Sequence, residues 1–243
     1  MFDASNTTHE LRRARVRLAI LPLGATEQHS RHLPVATDSI LAEAVARRAA
    51  ARLGAWCMPV LPYTISHMHR GLPGTAWLRN ATLLRVIHDL AESLRHGGVR
   101  EFALVNFHGG NQVLPAVLQD LNLDFPDLLS VGVLDPWKCL EGSGLFGMED
   151  QLCHGDEFET SCMLHLAPGL VRRREIRDQR KRFHAATLRY APFPCFTKLT
   201  HTGKPSRASA EKGREAIARM GAHTAREIRE ALAVARRARR RRR

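Results

Sequence analysis

Between Val16 and Leu134 the sequence alternates short, almost wholly apolar runs with stretches whose apolar residues recur at helical spacing. Val16–Leu23 reads as a buried strand and Ser39–Leu53 as a helix stopped by Gly54. Ala55–Leu61 reads as a second strand, Asn80–Arg95 as a second helix closed by Gly97 and Gly98, and Phe102–Asn106 as a third strand. Val113–Leu121 continues as helix and Leu129–Leu134 as a fourth strand. Strands apolar on both sides need cover on both sides, which parallel βαβ crossovers supply. The expected fold is a single α/β domain, a parallel sheet core flanked by helices on both faces. After a basic, proline-containing and poorly periodic segment, Arg172–Arg207, a long charged helix is expected over Ser209–Ala235.

Composition narrows the classes. The 243 residues are 44% apolar, enough for a real core. No run of 18 apolar residues occurs, so no membrane span is expected, and the run near the start is too short and broken for a signal peptide. Five cysteines, Cys57, Cys139, Cys153, Cys162 and Cys195, show no CxxC spacing and read as reduced thiols of a cytoplasmic protein. The net charge is +13, but the last eight residues hold seven arginines and one alanine. Residues 236–243 are expected to be a disordered basic tail on a domain of residues 1–235, with a weak grip on polyanions as its possible use.

In a parallel sheet, ligands gather beyond the carboxyl ends of the strands, and the chemistry-bearing residues collect there. After the first strand comes GATEQHSRHLPVATD, with Glu27, His29, His32 and Asp38. After the second comes SHMHRGLPGT, with His67 and His69; after the third NFHGGN, with His108; after the fourth DPWK, with Asp135 and Trp137. HGDEFETS follows, with His154, Asp156, Glu157 and Glu159. Glu27 and His29, two apart on an extended loop, point the same way and can reach one metal cluster. Asp38 taken alone is better explained as the N-cap of the helix beginning at Ser39; its sharper reading is a carboxylate bridging two cations. HGDEFETS also reads as a capped helix start, which covers Glu159 better than His154. GxSxG, Walker A, GxGxxG and HEXXH motifs are absent, which leaves a metal-activated water as the best supported nucleophile.

The strings LPLGATEQHSRHLPVATD, GLPGT, NFHGGN and HGDEFETSCMLHLAPGLV, in that order over Leu21–Val171, resemble the creatininase (creatinine amidohydrolase) family. The resemblance implies a helix-flanked parallel sheet, two divalent metal ions (Zn, Mn or Fe) and a homo-oligomer, commonly a hexamer. Carried over by position, Glu27, Asp38 and His108 hold one ion, and His29, Asp38 and a further carboxylate the other. Creatininase takes that carboxylate from just after its strand-three histidine, where this chain has Gly109 and Gly110. By the pattern of relatives with the same His-Gly-Gly-Asn string it is Glu157, with Glu159 orienting the ligands. His154 matches the family's general acid/base, and His67, Trp137 and Asn111 are expected around the pocket. Departures are Ser30-Arg31 for the usual Gly-Pro, Phe107 for the usual Gly, Trp77 for a small residue, and Met148-Glu149-Asp150-Gln151 where creatininase has a pocket tryptophan.

The expected activity is hydrolysis of a non-peptide or small cyclic amide C–N bond by a water that two metals activate, with creatinine itself disfavoured by the missing tryptophan. A formamidopyrimidine-type deformylase or a precursor-peptide-trimming peptidase is the alternative on the same scaffold. A nucleic-acid-binding protein with a relic fold is the reading from a different class.

Overall fold

The structure is a computed structural model that describes residues 1–147, 154–179, 188, 190–196, 198 and 200–240. The Met148–Gln151 departure, Cys153 and Arg241–Arg243 lie outside the described residues. Strands β1 (Leu18–Leu23), β2 (Trp56–Cys57), β3 (Glu101–Asn106) and β4 (Leu129–Val133) form one parallel sheet in the order β2-β1-β3-β4. The helices are α1 (Thr8–Arg13), α2 (Thr37–Leu53), α3 (Asn80–His96), α4 (Leu114–Asp124), α5 (Glu157–Leu166) and α6 (Ala210–Arg240). Alternate residues of each strand serve the two faces. Ile20, Ala103, Val105 and Val131 pack with α2, α5 and α6; Ala19, Leu21, Leu23, Phe102 and Leu104 pack with α3 and α4. The helix-flanked parallel sheet expected from the sequence is therefore the observed fold.

Two departures have local causes. The second strand is far shorter than Ala55–Leu61, because Pro22, which faces it from β1, has no N–H for the ladder; contact with β1 resumes after Met58 only where Leu61 N donates to the Pro22 carbonyl at 2.9 Å. Helix α6 runs on to Arg240, five residues into the segment read as a disordered tail. There Arg236 pairs with Glu101 and Arg239 donates to the Leu128 carbonyl, contacts that fix those turns against the sheet. Among the described residues, Cys57, Cys139, Cys162 and Cys195 are free thiols, and no helix is long and apolar enough to cross a membrane.

The chain leaves β1 for β2 on one side and returns through α3 to β3 on the other. The sheet order thus reverses between β1 and β3, and their carboxyl ends frame a crevice. Gly24, just past β1, lets the start of α2 come close: a Cβ there would lie 2.4 Å from the Ser39 Cα. That approach brings Asp38 to the crevice.

Candidate metal centre

Glu27, His29, Asp38, His108, His154 and Glu159 converge over the ends of β1 and β3, and all are buried. Glu27 is central: its Oε2 lies 3.3 Å from His108 Nε2, and its Oε1 lies 3.3 Å from His69 Nε2 and 3.6 Å from His154 Nδ1. Asp38 spans two histidines, with Oδ1 3.2 Å from His29 Nε2 and Oδ2 3.0 Å from His108 Nδ1. Glu159 Oε2 lies 3.5 Å from His29 Nε2 and accepts from Gly155 N at 2.5 Å. Three triads bring ligand atoms within 4.8 Å of one another: Glu27, Asp38 and His108; His29, Asp38 and Glu159; and Glu27, His29 and His154.

Asp38 is not a helix cap. Helix α2 begins at Thr37 after Ala36, which makes no side-chain cap bond, so Asp38 falls inside the first turn and turns its carboxylate to the crevice. Of the two carboxylates of α5, Glu159 and not Glu157 joins the cluster of His29 and Asp38. Asp156 caps α5 by accepting from Glu159 N at 3.0 Å, which starts the helix at Glu157. Residues two apart on a helix differ in direction by about 200° and cannot face one site. Glu157 therefore points to α6, where Lys212 donates to it at 2.5 Å. The helix-start signal in HGDEFETS carried this phase relation already.

Backbone carbonyls select the histidine tautomers. His29 Nδ1 lies 3.1 Å from the Glu27 carbonyl and His108 Nε2 2.8 Å from that of Ile65; each N–H donates there, so that a cation replacing the second proton would meet the other ring nitrogen's lone pair beside Asp38. Gly110 keeps this arrangement open, since a Cβ there would meet the Ile65 carbonyl oxygen at 2.2 Å. Burial opposes every charge in the cluster. For Glu27 the nearby His108 and His69 overcome it, and for Asp38 His29 does, so both carboxyls are held below their usual range. Against the same burial, the facing carboxylates pull His29 well up and His108 to about 9. Burial dominates for Glu159, whose carboxyl is raised. His154 is pushed well down by burial and then by His29, His69 and His108, and stays neutral at pH 7.

The donor set fits divalent cations. Glu27 Oε2, His29 Nε2 and Asp38 Oδ2 are buried and have no hydrogen-bond partner of acceptable geometry among the described residues. Orphaned acceptors of this kind are costly unless something positive meets them. Mixed carboxylate and imidazole donors suit Zn, Mn or Fe better than Mg or Ca.

A cavity of 540 Å³ opens onto Glu27, Asp38, His108, His154 and Glu159. Trp137 lines it, on a turn after β4, with its ring edge-on to Phe107 at 5.6 Å; His67 lines it beside Trp77 at 6.4 Å. Asn111 is a strut rather than a pocket residue: it donates to Asn106 Oδ1 at 2.9 Å and accepts from Ile65 N at 3.1 Å. Sequence reasoning undervalued His69, which is buried, touches Glu27 and stacks on Phe193 at 5.0 Å. It also missed Gln28, whose amide nitrogen lies 2.8 Å from His154 Nε2 and 2.9 Å from His69 Nδ1 and donates to the Thr200 carbonyl. His69 had a signal in His67-x-His69; Gln28 had none, being an ordinary polar residue between two ligands.

Comparisons with known proteins give the family. The family model described as "Creatininase: Creatinine amidohydrolase" matches residues 4–228. The creatinine amidohydrolase of Pseudomonas putida is 32% identical over 63% of this chain and 65% of its own length, so the match spans just under two thirds of that relative. The mycofactocin precursor peptide peptidase of Mycobacterium tuberculosis is 30% identical over 83% of this chain and 80% of its own length. A mutant creatininase complexed with creatine superposes with a TM-score of 0.81 at 29% identity, covering 94% of this chain and 97% of that one. A structure described as "Creatininase Mn" gives 0.77 at 28% identity over 94% and 97%. With four ordered motifs, a shared fold and a family match over nearly the whole length, the chain belongs to the creatininase family.

Proposed function

We propose that this chain is a dimetal amidohydrolase cleaving a C–N bond other than an ordinary peptide bond. The observation that carries the reading is the pair of ligand triads sharing Asp38, with orphaned buried acceptors on Glu27, His29 and Asp38. Glu27, Asp38 and His108 would hold one divalent ion, and His29, Asp38 and Glu159 the other. Bound ions would supply Lewis acidity toward the amide oxygen and lower the pKa of a water toward neutrality. The remaining work falls to the chain. The Glu27 and Ile65 carbonyls keep the lone pairs of His29 and His108 aligned. Neutral His154, whose Nε2 accepts from Gln28 and whose proton therefore sits on Nδ1, gives that proton to the leaving nitrogen and recovers one from the attacking water. Phe107, Trp137 and Phe193 keep that exchange away from bulk water. A cytoplasmic homo-oligomer fits this reading, and creatinine is a poor fit because this wall differs from the family's.

A second reading, trimming of a peptide, is favoured by two observations. The peptidase relative matches more of the chain than the creatinine amidohydrolase does. The cavity is also of the size that holds drug-sized ligands rather than only a small ring. Metal analysis of purified protein, with a screen of cyclic amides, formamides and short peptides, tests both. We expect about two transition-metal ions per chain, lost in Asp38→Ala. His154→Asn should keep the metal and cut kcat by about 10²–10⁴-fold. Full metal content in Asp38→Ala, or metal loss in His154→Asn, overturns the assignment of roles.

A further inference from the structure

The far end of the sheet carries a different chemistry. Three segments remote in sequence meet at the amino ends of β1, β3 and β4. The Arg17 carbonyl accepts from Arg100 N at 2.9 Å and Glu101 N at 3.0 Å, and the Arg100 carbonyl accepts from Leu129 N at 2.9 Å. Helix α6 closes the group from the third side: Arg236 Nε donates to Glu101 Oε1 at 2.7 Å and Arg239 to the Leu128 carbonyl at 2.7 Å. The chain around residues 12–17, 95–100 and 236–239, rich in arginine, therefore meets at one edge, about 20 Å along the strands from the metal centre. Its acids are largely committed, Glu101 to Arg236 and Asp127 to Arg95. Arg15, Arg17 and Arg237 are exposed and have no ion-pair partner among the described residues.

A cationic helix end is ordinarily explained by the macrodipole. That covers the last turn of α6 but not Arg15 and Arg17, which belong to no helix. Arg15 moreover sits in the left-handed region at φ 51, a conformation that glycine or asparagine adopts more cheaply. We infer that this face is a docking surface for the phosphate backbone of nucleic acid, separate from the hydrolytic site. The charge on this face is carried by arginine without lysine, and planar guanidinium forks match phosphate oxygens in pairs. The exposed aromatics Tyr63 and Trp77 lie on loops at the opposite, carboxyl edge, and the exposed apolar side chains toward this edge, Leu123 and Val234, are aliphatic and single, so the arginines are its dominant feature. Binding is sequence-independent and electrostatic.

Fluorescence anisotropy with a short labelled oligonucleotide, single-stranded and duplex, tests this on the full chain. We expect binding at low salt, about 50 mM KCl, that collapses as salt rises. Substituting R15S, R17S and R237S together should flatten the slope of log K against log salt by about 3, one per lost phosphate contact. The single change R237S should flatten it by about 1, which keeps the test valid should the triple variant fold poorly. A control with R79S, R173S and R174S, exposed arginines away from this edge, should leave the slope unchanged. No binding at low salt, an equal effect of the control, or tighter binding to anionic phospholipid vesicles than to the oligonucleotide overturns the inference.

Discussion

A single residue, Asp38, decides whether the crevice is a metal site. Read alone it is a helix cap; in the fold it lies within 3.2 Å of His29 and 3.0 Å of His108. His32, three residues beyond His29, plays a different part. It is buried, its Nε2 lies 3.0 Å from Thr160 Oγ1, and its ring meets His201 edge-on at 5.5 Å. Burial, then His201 and His29, lower its pKa to about 4. The unfolded chain, with an ordinary histidine near 6.5, binds this proton first as pH falls, so stability is complete above 6.5 and declines between 6.5 and 4. The shift corresponds to about 3 kcal/mol. His32→Asn should therefore flatten the fall in Tm over that interval relative to the parent. An identical pH profile in the two proteins would remove His32 from the account.

At the scale of elements, phase and punctuation matter more than propensity. Pro22 in β1 cuts the ladder to the second strand to two residues without displacing it, because Met58 N and Leu61 N still donate to β1 carbonyls at 2.9 Å. In α5 the cap at Asp156 sets which carboxylate reaches the crevice. Glu159→Gln should lower metal content and activity together. Glu157→Gln should leave metal content intact and instead loosen α5 from α6, since it breaks the pair with half-buried Lys212. Allowing for the solvent that reaches this lysine, the expected loss is about 1–2 kcal/mol. Metal analysis and thermal melts of both variants decide the point; metal loss in Glu157→Gln with retention in Glu159→Gln would reverse it.

For the whole molecule, the metal cluster joins parts distant in the chain: the loop after β1, the start of α2, the loop after β3 and the start of α5. Ions held there would bind the folded chain in preference to the unfolded one and so stabilise it. At free metal about 100-fold above Kd the gain is about 2.7 kcal/mol per site, roughly 5–10 °C in Tm for a domain of this size. Dialysis against a chelator should lower Tm by this order, and added Zn or Mn should restore it. A melting curve indifferent to chelator would remove the stabilising role. The same scale separates the charged ends: carboxylates and imidazoles at the strand carboxyl edge, arginines at the amino edge.

The sequence by itself determined the sheet, its helical cover and the edge where the histidines and carboxylates collect, because apolar periodicity and residue order are local properties of the chain. It also located Glu27, His29, Asp38, His108 and His154 as candidates, since these sit in short dense strings after predicted strands. Choosing between Glu157 and Glu159 was open to the sequence in principle, through the phase of a helix whose cap it shows. Other outcomes belong to tertiary structure alone. Gln28 reaches His154 only because the chain near Thr200 folds back over the crevice, with Thr202 N donating to the His154 carbonyl at 2.8 Å. His69 separates from His67 only because the turn between them buries one ring against Phe193 and leaves the other at the cavity wall. Such contacts join residues up to 172 positions apart. No local pattern specifies them, since they are fixed by how α5, α6 and the loop before α6 close over the sheet.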